Sequence, residues 1–139
     1  MHLLDTDTLT HLHAGHMRVI QRLRAVDDPD VGTTIITKIE LLRGRFDFLL
    51  KAVTGAELLR AQQWLARTEE LLAQIMVVQM NDAAVAQFDQ LRAMKDLNKM
   101  GRADLLVASI AVAQRATLVT RNVKHFHRVP ALKVVNWVD

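Results

Sequence analysis

The strongest constraint on this chain is a rhythm. Short, largely apolar runs, "VGTTIIT" the richest in β-branched residues, alternate with segments of helical length. The runs are 2–5, "VGTTIIT" (31–37), "IMVVQM" (75–80), "ATLVT" (116–120) and "LKVVNW" (132–137). Brief runs with little apolar/polar alternation read as strands buried on both faces, the habit of parallel sheets. Between them lie patterns of helical period. One helix begins near Asp7, and "GHMRVIQRLRAV" sets Met17, Ile20, Leu23 and Val26 at near-helical spacing until "DDPD" breaks it. "TKIELLRGRFDFLLKAV" and "GAELLRAQQWLARTEELLAQ" read as a helical hairpin. "NDAAVAQFDQLRAMKDL" is a helix capped by Asn81 or Asp82. "RADLLVASIAVAQR" is apolar almost all round, so it is expected to be buried on most sides. Strands alternating with helices predict an α/β fold, a single domain over 1–139 with a central parallel sheet of about five strands flanked by helices.

Composition narrows the function classes. No apolar run approaches the roughly 20 residues that span a bilayer, and the first residues lack a secretory signal pattern. No membrane association and a cytoplasmic home are therefore expected. Cysteine is absent, which removes disulfides and thiolate metal sites. From residue 97 onward seven Lys/Arg face two Asp, a net +5, leaving −2 for the rest of a chain whose total is +3. A basic end suits an anionic partner such as nucleic acid, and equally a solvated face. Tyr is absent and aromatics are 4%, so a base-stacking platform is not expected. Met76, Met80, Met94 and Met100 read as core filler. His11, His13 and His16 lack the i, i+4 spacing of a helical zinc pair and read as surface or RNA-contacting histidines.

In a parallel sheet, ligands bind beyond the carboxyl ends of the strands. Asp5 and Asp7 follow the first strand. Glu40 follows the second, in the first turn of its helix, with Thr37 as cap and Glu40 as the fourth member of a capping box. Asp104 opens the helix entering the fourth strand, and Asn122 follows that strand. Hard oxygen donors converging without Cys or His suit Mg²⁺ or Mn²⁺. Each acid also has a plain structural reading, as a helix cap or as a first-turn partner of the helix dipole.

The stretches "LLDTDTL", "ITKIELLRGR", "GRADLLVASIA" and "LVTRNVKHFHRVPALKVVNW" resemble, in order and at workable spacing, the motifs of PIN-domain ribonucleases, above all the VapC toxins of bacterial toxin–antitoxin pairs. The resemblance implies an α/β sandwich that binds Mg²⁺ or Mn²⁺ and cleaves RNA (tRNA, rRNA or mRNA). It further implies a VapB-like antitoxin whose tail blocks the acidic groove, and a homodimer. Carried over, Asp5 and Asp104 match the metal-binding aspartates and Glu40 the conserved acid, while Asp7 falls where relatives have Asn or Asp. The chain departs from the family at the fourth acid, where it offers Asn122 and His125, so one tightly held ion is expected. Arg43, Arg45, Arg121, Lys124 and Arg128 are candidates for gripping the RNA backbone.

"LLDTDTL" also resembles the opening motif of haloacid-dehalogenase-type phosphatases, with Asp5 as nucleophile. Thr37 and Lys99 are available for that chemistry, but Asp104 lacks the acidic neighbour such enzymes need. An inactive PIN fold that only binds RNA or a partner is the third reading.

Overall fold

The strand at the start of the chain carries Leu3 and Leu4 side by side, both with no exposure to solvent. Successive strand residues point to opposite faces, so adjacent fully buried leucines require a covered layer on each side. A computed structural model describes residues 1–139 and shows those two layers. The elements in order are β1 (His2–Leu4), α1 (Thr6–His13), α2 (Met17–Ala25), β2 (Val31–Thr34), α3 (Ile35–Leu50), α4 (Gly55–Gln74) and β3 (Met76–Val78). They continue with α5 (Asp82–Arg92), a 3₁₀ turn (Lys95–Leu97), α6 (Arg102–Ala113), β4 (Thr117–Val119), α7 (Val123–Phe126) and β5 (Lys133–Val135).

All five strands are parallel, in the order β3-β2-β1-β4-β5. Leu3 and Leu118 face one core, where α6 contributes Leu105, Val107, Ala108, Ile110 and Ala111. Met100 belongs to this core, and Met76, Met80 and Met94 pack against it as the filler expected of them. Leu4 and Val119 face the other core, built with Leu9 of α1, Val19 of α2, Leu41 of α3, Leu72 of α4 and Trp137. No helix is long and apolar enough to cross a membrane.

Two sequence expectations are corrected here. The second strand ends at Thr34 instead of running to Thr37, and α3 begins at Ile35. Ile35 and Ile36 are β-branched, which favours strand locally. The Thr34 hydroxyl, however, accepts the Thr37 N–H at 3.2 Å and caps the helix there.

The second correction concerns His13, which is not a surface histidine. Its ring meets Trp64 of α4 edge-on at 5.8 Å, and its Nε2 is buried without a hydrogen-bond partner. Burial pushes its pKa below the ordinary 6.5, and the guanidinium groups of Arg67 and Arg45 push the same way. The fold therefore favours the neutral form of His13, relative to an unfolded chain that takes up its proton near the ordinary value. Stability from this group is present above that value and is lost as pH falls below it. Melting curves at falling pH are expected to show a steeper loss in the parent than in His13→Gln, which has no proton to take up. Equal slopes would remove His13 as the cause.

Candidate active site

The chain leaves β1 toward β2 on one side, and leaves β4, on the other side of β1, toward β5, so the direction of connection reverses between β1 and β4. The crevice at such a reversal, beyond the carboxyl ends of the strands, is where open parallel sheets bind ligands. Asp5 is the first residue past β1. Its N–H donates to the Val119 carbonyl of β4 at 3.0 Å, and its Oδ1 accepts the Thr8 N–H at 2.8 Å as N-cap of α1. Asp5 is thus a cap through one oxygen. Its Oδ2 has no hydrogen-bond partner within the chain.

Glu40 lies in the second turn of α3, because that helix starts at Ile35. The capping box expected of Thr37 and Glu40 does not form. Thr37 is buried in the first turn, and its hydroxyl lies 3.1 Å from that of Thr6. The Thr6 hydroxyl donates to Glu40 Oε1 at 2.7 Å. A hydroxyl has one proton to give, so Thr37 donates to Thr6 and Thr6 to Glu40. This relay joins α1 to α3 and leaves Glu40 Oε2 open.

Asp104 is the third residue of α6, whose N-cap, Gly101, offers no side chain. Its Oδ2 pairs with His125 Nε2 of α7 at 3.0 Å, and its Oδ1 is free. Asn122 is the N-cap residue of α7 and its carboxamide makes no capping hydrogen bond. Asp7 is exposed in the first turn of α1, 3.6 Å from His11 Nδ1.

Asp5, Asp7, Glu40, Asp104 and Asn122 line one open cleft with Thr6, over a floor of Val107 and Phe126. Asp5, Asp7 and Asn122 also wall the adjoining hollow, which adds Thr120, Arg121 and Asp139 and no apolar residue. The two form a continuous polar groove along the sheet edge. Arg121 forks onto Asp139, with Nε–Oδ2 at 3.2 Å and Nη2–Oδ1 at 3.3 Å. That pairing raises the Arg121 pKa above its ordinary value, and hydrogen bonds from Asn136 and Arg121 lower that of Asp139.

The five positions singled out from sequence as acids and amide thus share one cleft, and Arg121 lies at its rim. Arg43 and Lys124 are exposed and outside the lining of both hollows. Arg45 is not free to grip RNA: it donates to the Thr68 hydroxyl at 3.0 Å and lies 4.9 Å over the Trp64 ring. Sequence reasoning missed Thr6 as the residue that holds Glu40, and linked Thr37 to Glu40 through a cap that does not form. The signal available was the threonine between the two aspartates of "DTD", next to a helix start.

The donor set fits a hard divalent ion. Asp5, Glu40 and Asp104 each have one oxygen pinned by a neighbour and one oxygen open. No three His, Asp or Glu side chains gather closely enough to enclose an ion by themselves. Mg²⁺ does not require such a cage, since it is commonly held by one or two carboxylates with water filling its other positions.

The family model described as PIN domain matches residues 2–132. Ribonuclease VapC2 of Rickettsia felis is 55% identical over 38 residues, a stretch covering 27% of this chain and 28% of that protein. Among solved structures, VapBC2 from Rickettsia felis bound to a DNA fragment from their promoter superposes with a TM-score of 0.80 at 24% identity, covering 98% of each chain. VapBC-1 from nontypeable Haemophilus influenzae gives 0.80 at 22%, covering 99% of this chain and 98% of that one. DNA-bound VapBC from Salmonella typhimurium gives 0.79 at 21%, with 98% and 97% covered. The parallel sheet of five strands, the acids at its reversal point and a family match over nearly the full length agree, and the chain belongs to the PIN-domain family.

Proposed function

We propose that the protein is a Mg²⁺- or Mn²⁺-dependent endoribonuclease of the VapC toxin type, acting on RNA and restrained by a VapB-like antitoxin, with a homodimer as its working form. The observation that carries the reading is the set of three half-pinned carboxylates at the sheet's reversal point, one pinned through α1, one through Thr6 and one through α7. The similarity to Ribonuclease VapC2 and to solved VapBC complexes supports the substrate class and the kind of partner.

Asp5 and Asp104, each with one open carboxylate oxygen, would hold the ion. A bound divalent ion supplies Lewis-acid polarisation of the scissile phosphate. Glu40 Oε2 orients the attacking water and takes its proton, while the Thr6 hydroxyl keeps the other oxygen fixed. Asn122 offers a carbonyl acceptor and an N–H₂ donor at the same wall. Water oxygen bonds to phosphorus, the bond from phosphorus to the 3′ oxygen breaks, and that oxygen takes a proton from solvent water in the open cleft as it leaves. The products carry 5′-phosphate and 3′-hydroxyl ends. Arg43 and Lys124, with Arg121 once its exposed fork on Asp139 opens, neutralise flanking phosphates and carry no sequence information.

The test is the chemistry of the cut ends. Sequencing of RNA termini after brief expression without an antitoxin is expected to recover 5′-phosphates at new internal positions. Cuts leaving 5′-hydroxyl and 2′,3′-cyclic phosphate ends would refute metal-assisted hydrolysis, because they mark attack by the RNA's own 2′-hydroxyl.

A second measurement checks the basic grip. Replacing Arg121 and Lys124 together by Ala is expected to weaken RNA binding and to flatten its salt dependence by about 0.7 in the log–log slope for each phosphate no longer neutralised. A filter-binding series across salt reads this directly, and an unchanged slope would make both side chains a solvated face.

A further inference from the structure

We propose that His125 is the positioning residue for Asp104, holding one carboxylate oxygen so that the other faces the cleft for a divalent ion; this rests on the metal-nuclease reading above. The His125 Nε2 to Asp104 Oδ2 distance is 3.0 Å, and no other hydrogen bond reaches either oxygen of Asp104. Nothing within α6 holds that carboxylate, since Gly101 ahead of it has no side chain and Asp104 stands in an open first turn. A carboxylate oxygen only accepts, so the ring nitrogen facing it carries the proton.

The ring is well placed to act as a fixed point. Its side chain is 26% exposed against 45% for Asp104, and it sits edge-on at 5.2 Å to Phe126, whose side chain is in the core. Asn122 is the N-cap of α7, and His125 lies within the helix three residues on. One short helix thus supplies both a cleft-lining amide and the donor to Asp104. The residue type matters. A carboxylate at this position would stand beside that of Asp104 and repel it until a cation arrived, whereas an imidazole N–H attracts it in the metal-free protein as well. Metal sites usually have a carboxylate orienting a ligating histidine. Here the order is reversed, and a histidine orients the ligating carboxylate.

Manganese titration calorimetry on the full chain tests this with His125→Ala and His125→Gln, the latter because its amide N–H₂ can reach a similar point. The expected result is a loss of about 10–100-fold in Mn²⁺ affinity for His125→Ala, with most of it recovered in His125→Gln. Nitrogen-resolved NMR of the unmutated, metal-free protein is expected to show the His125 proton on Nε2, a readout that needs no variant to fold. Parent-like Mn²⁺ affinity in His125→Ala, no rescue by Gln, or a proton found on Nδ1 with Nε2 bare would each overturn the positioning role and leave the metal reading standing. A parent protein that takes up no Mn²⁺ would overturn both.

Discussion

Glu40→Gln is expected to lower RNA cleavage by about 10²–10⁴-fold, the usual contribution of a general base, while stability stays within about 0.5 kcal/mol of the parent. The fold is spared because a Gln carbonyl can accept the Thr6 hydroxyl that now reaches Glu40 Oε1 at 2.7 Å. The chemistry is not spared, because an amide cannot take a proton from water. Thr34→Ala gives the opposite pattern. It removes the hydroxyl that caps α3 and is expected to cost about 1 kcal/mol, while leaving the cleft side chains in place. Rate and melting temperature measured on the two variants separate the roles. Parent-like cleavage by Glu40→Gln would leave Asp5 and Asp104 to carry the site without it.

Asp5 presents the same separation within a single side chain. Asn is as good an N-cap as Asp, so Asp5→Asn retains the acceptor for the Thr8 N–H and is expected to remain folded. Its cleavage is expected to fall by about 10³-fold, the equivalent of losing several kcal/mol of ion-derived stabilisation. Asp5→Ala is expected to show that loss plus a further ~1 kcal/mol in stability from the missing cap. Melting curves and cleavage rates for the pair read both effects. Asp5→Asn that cleaves like the parent would reduce Asp5 to a helix cap and nothing more.

The contrast between these variants shows how much of the molecule the amino-acid order makes legible. The alternation of strand and helix is readable because period and β-branching speak for themselves over a whole element. α4 is legible with its observed bounds, since Thr54 caps it and the helical pattern runs unbroken to Gln74. The start of α3 is not, because Ile35 and Ile36 favour strand locally and only the Thr34 cap decides against them. α7 escapes notice for a different reason. Four residues are too few to display a helical period.

For the site, the strand-end rule finds the acids but not what holds them. Asp104 and His125 are 21 residues apart, and Thr6 and Glu40 are 34 apart. Such pairings exist only once β1, β2 and β4 have settled into register. His13 shows the same limit. Its ring packs on Trp64, 51 positions later in α4, a contact that no local pattern displays.

If the half-pinned carboxylates at the sheet's reversal point work through a divalent ion, cleavage must follow that ion. The direct measurement is RNA cleavage by the purified protein after chelation with EDTA, followed by stepwise return of Mn²⁺ or Mg²⁺. No cleavage is expected in EDTA and full recovery as the ion is restored, with Asp5→Asn and Glu40→Gln failing to recover. Undiminished cleavage by the chelated protein would contradict that dependence on the ion.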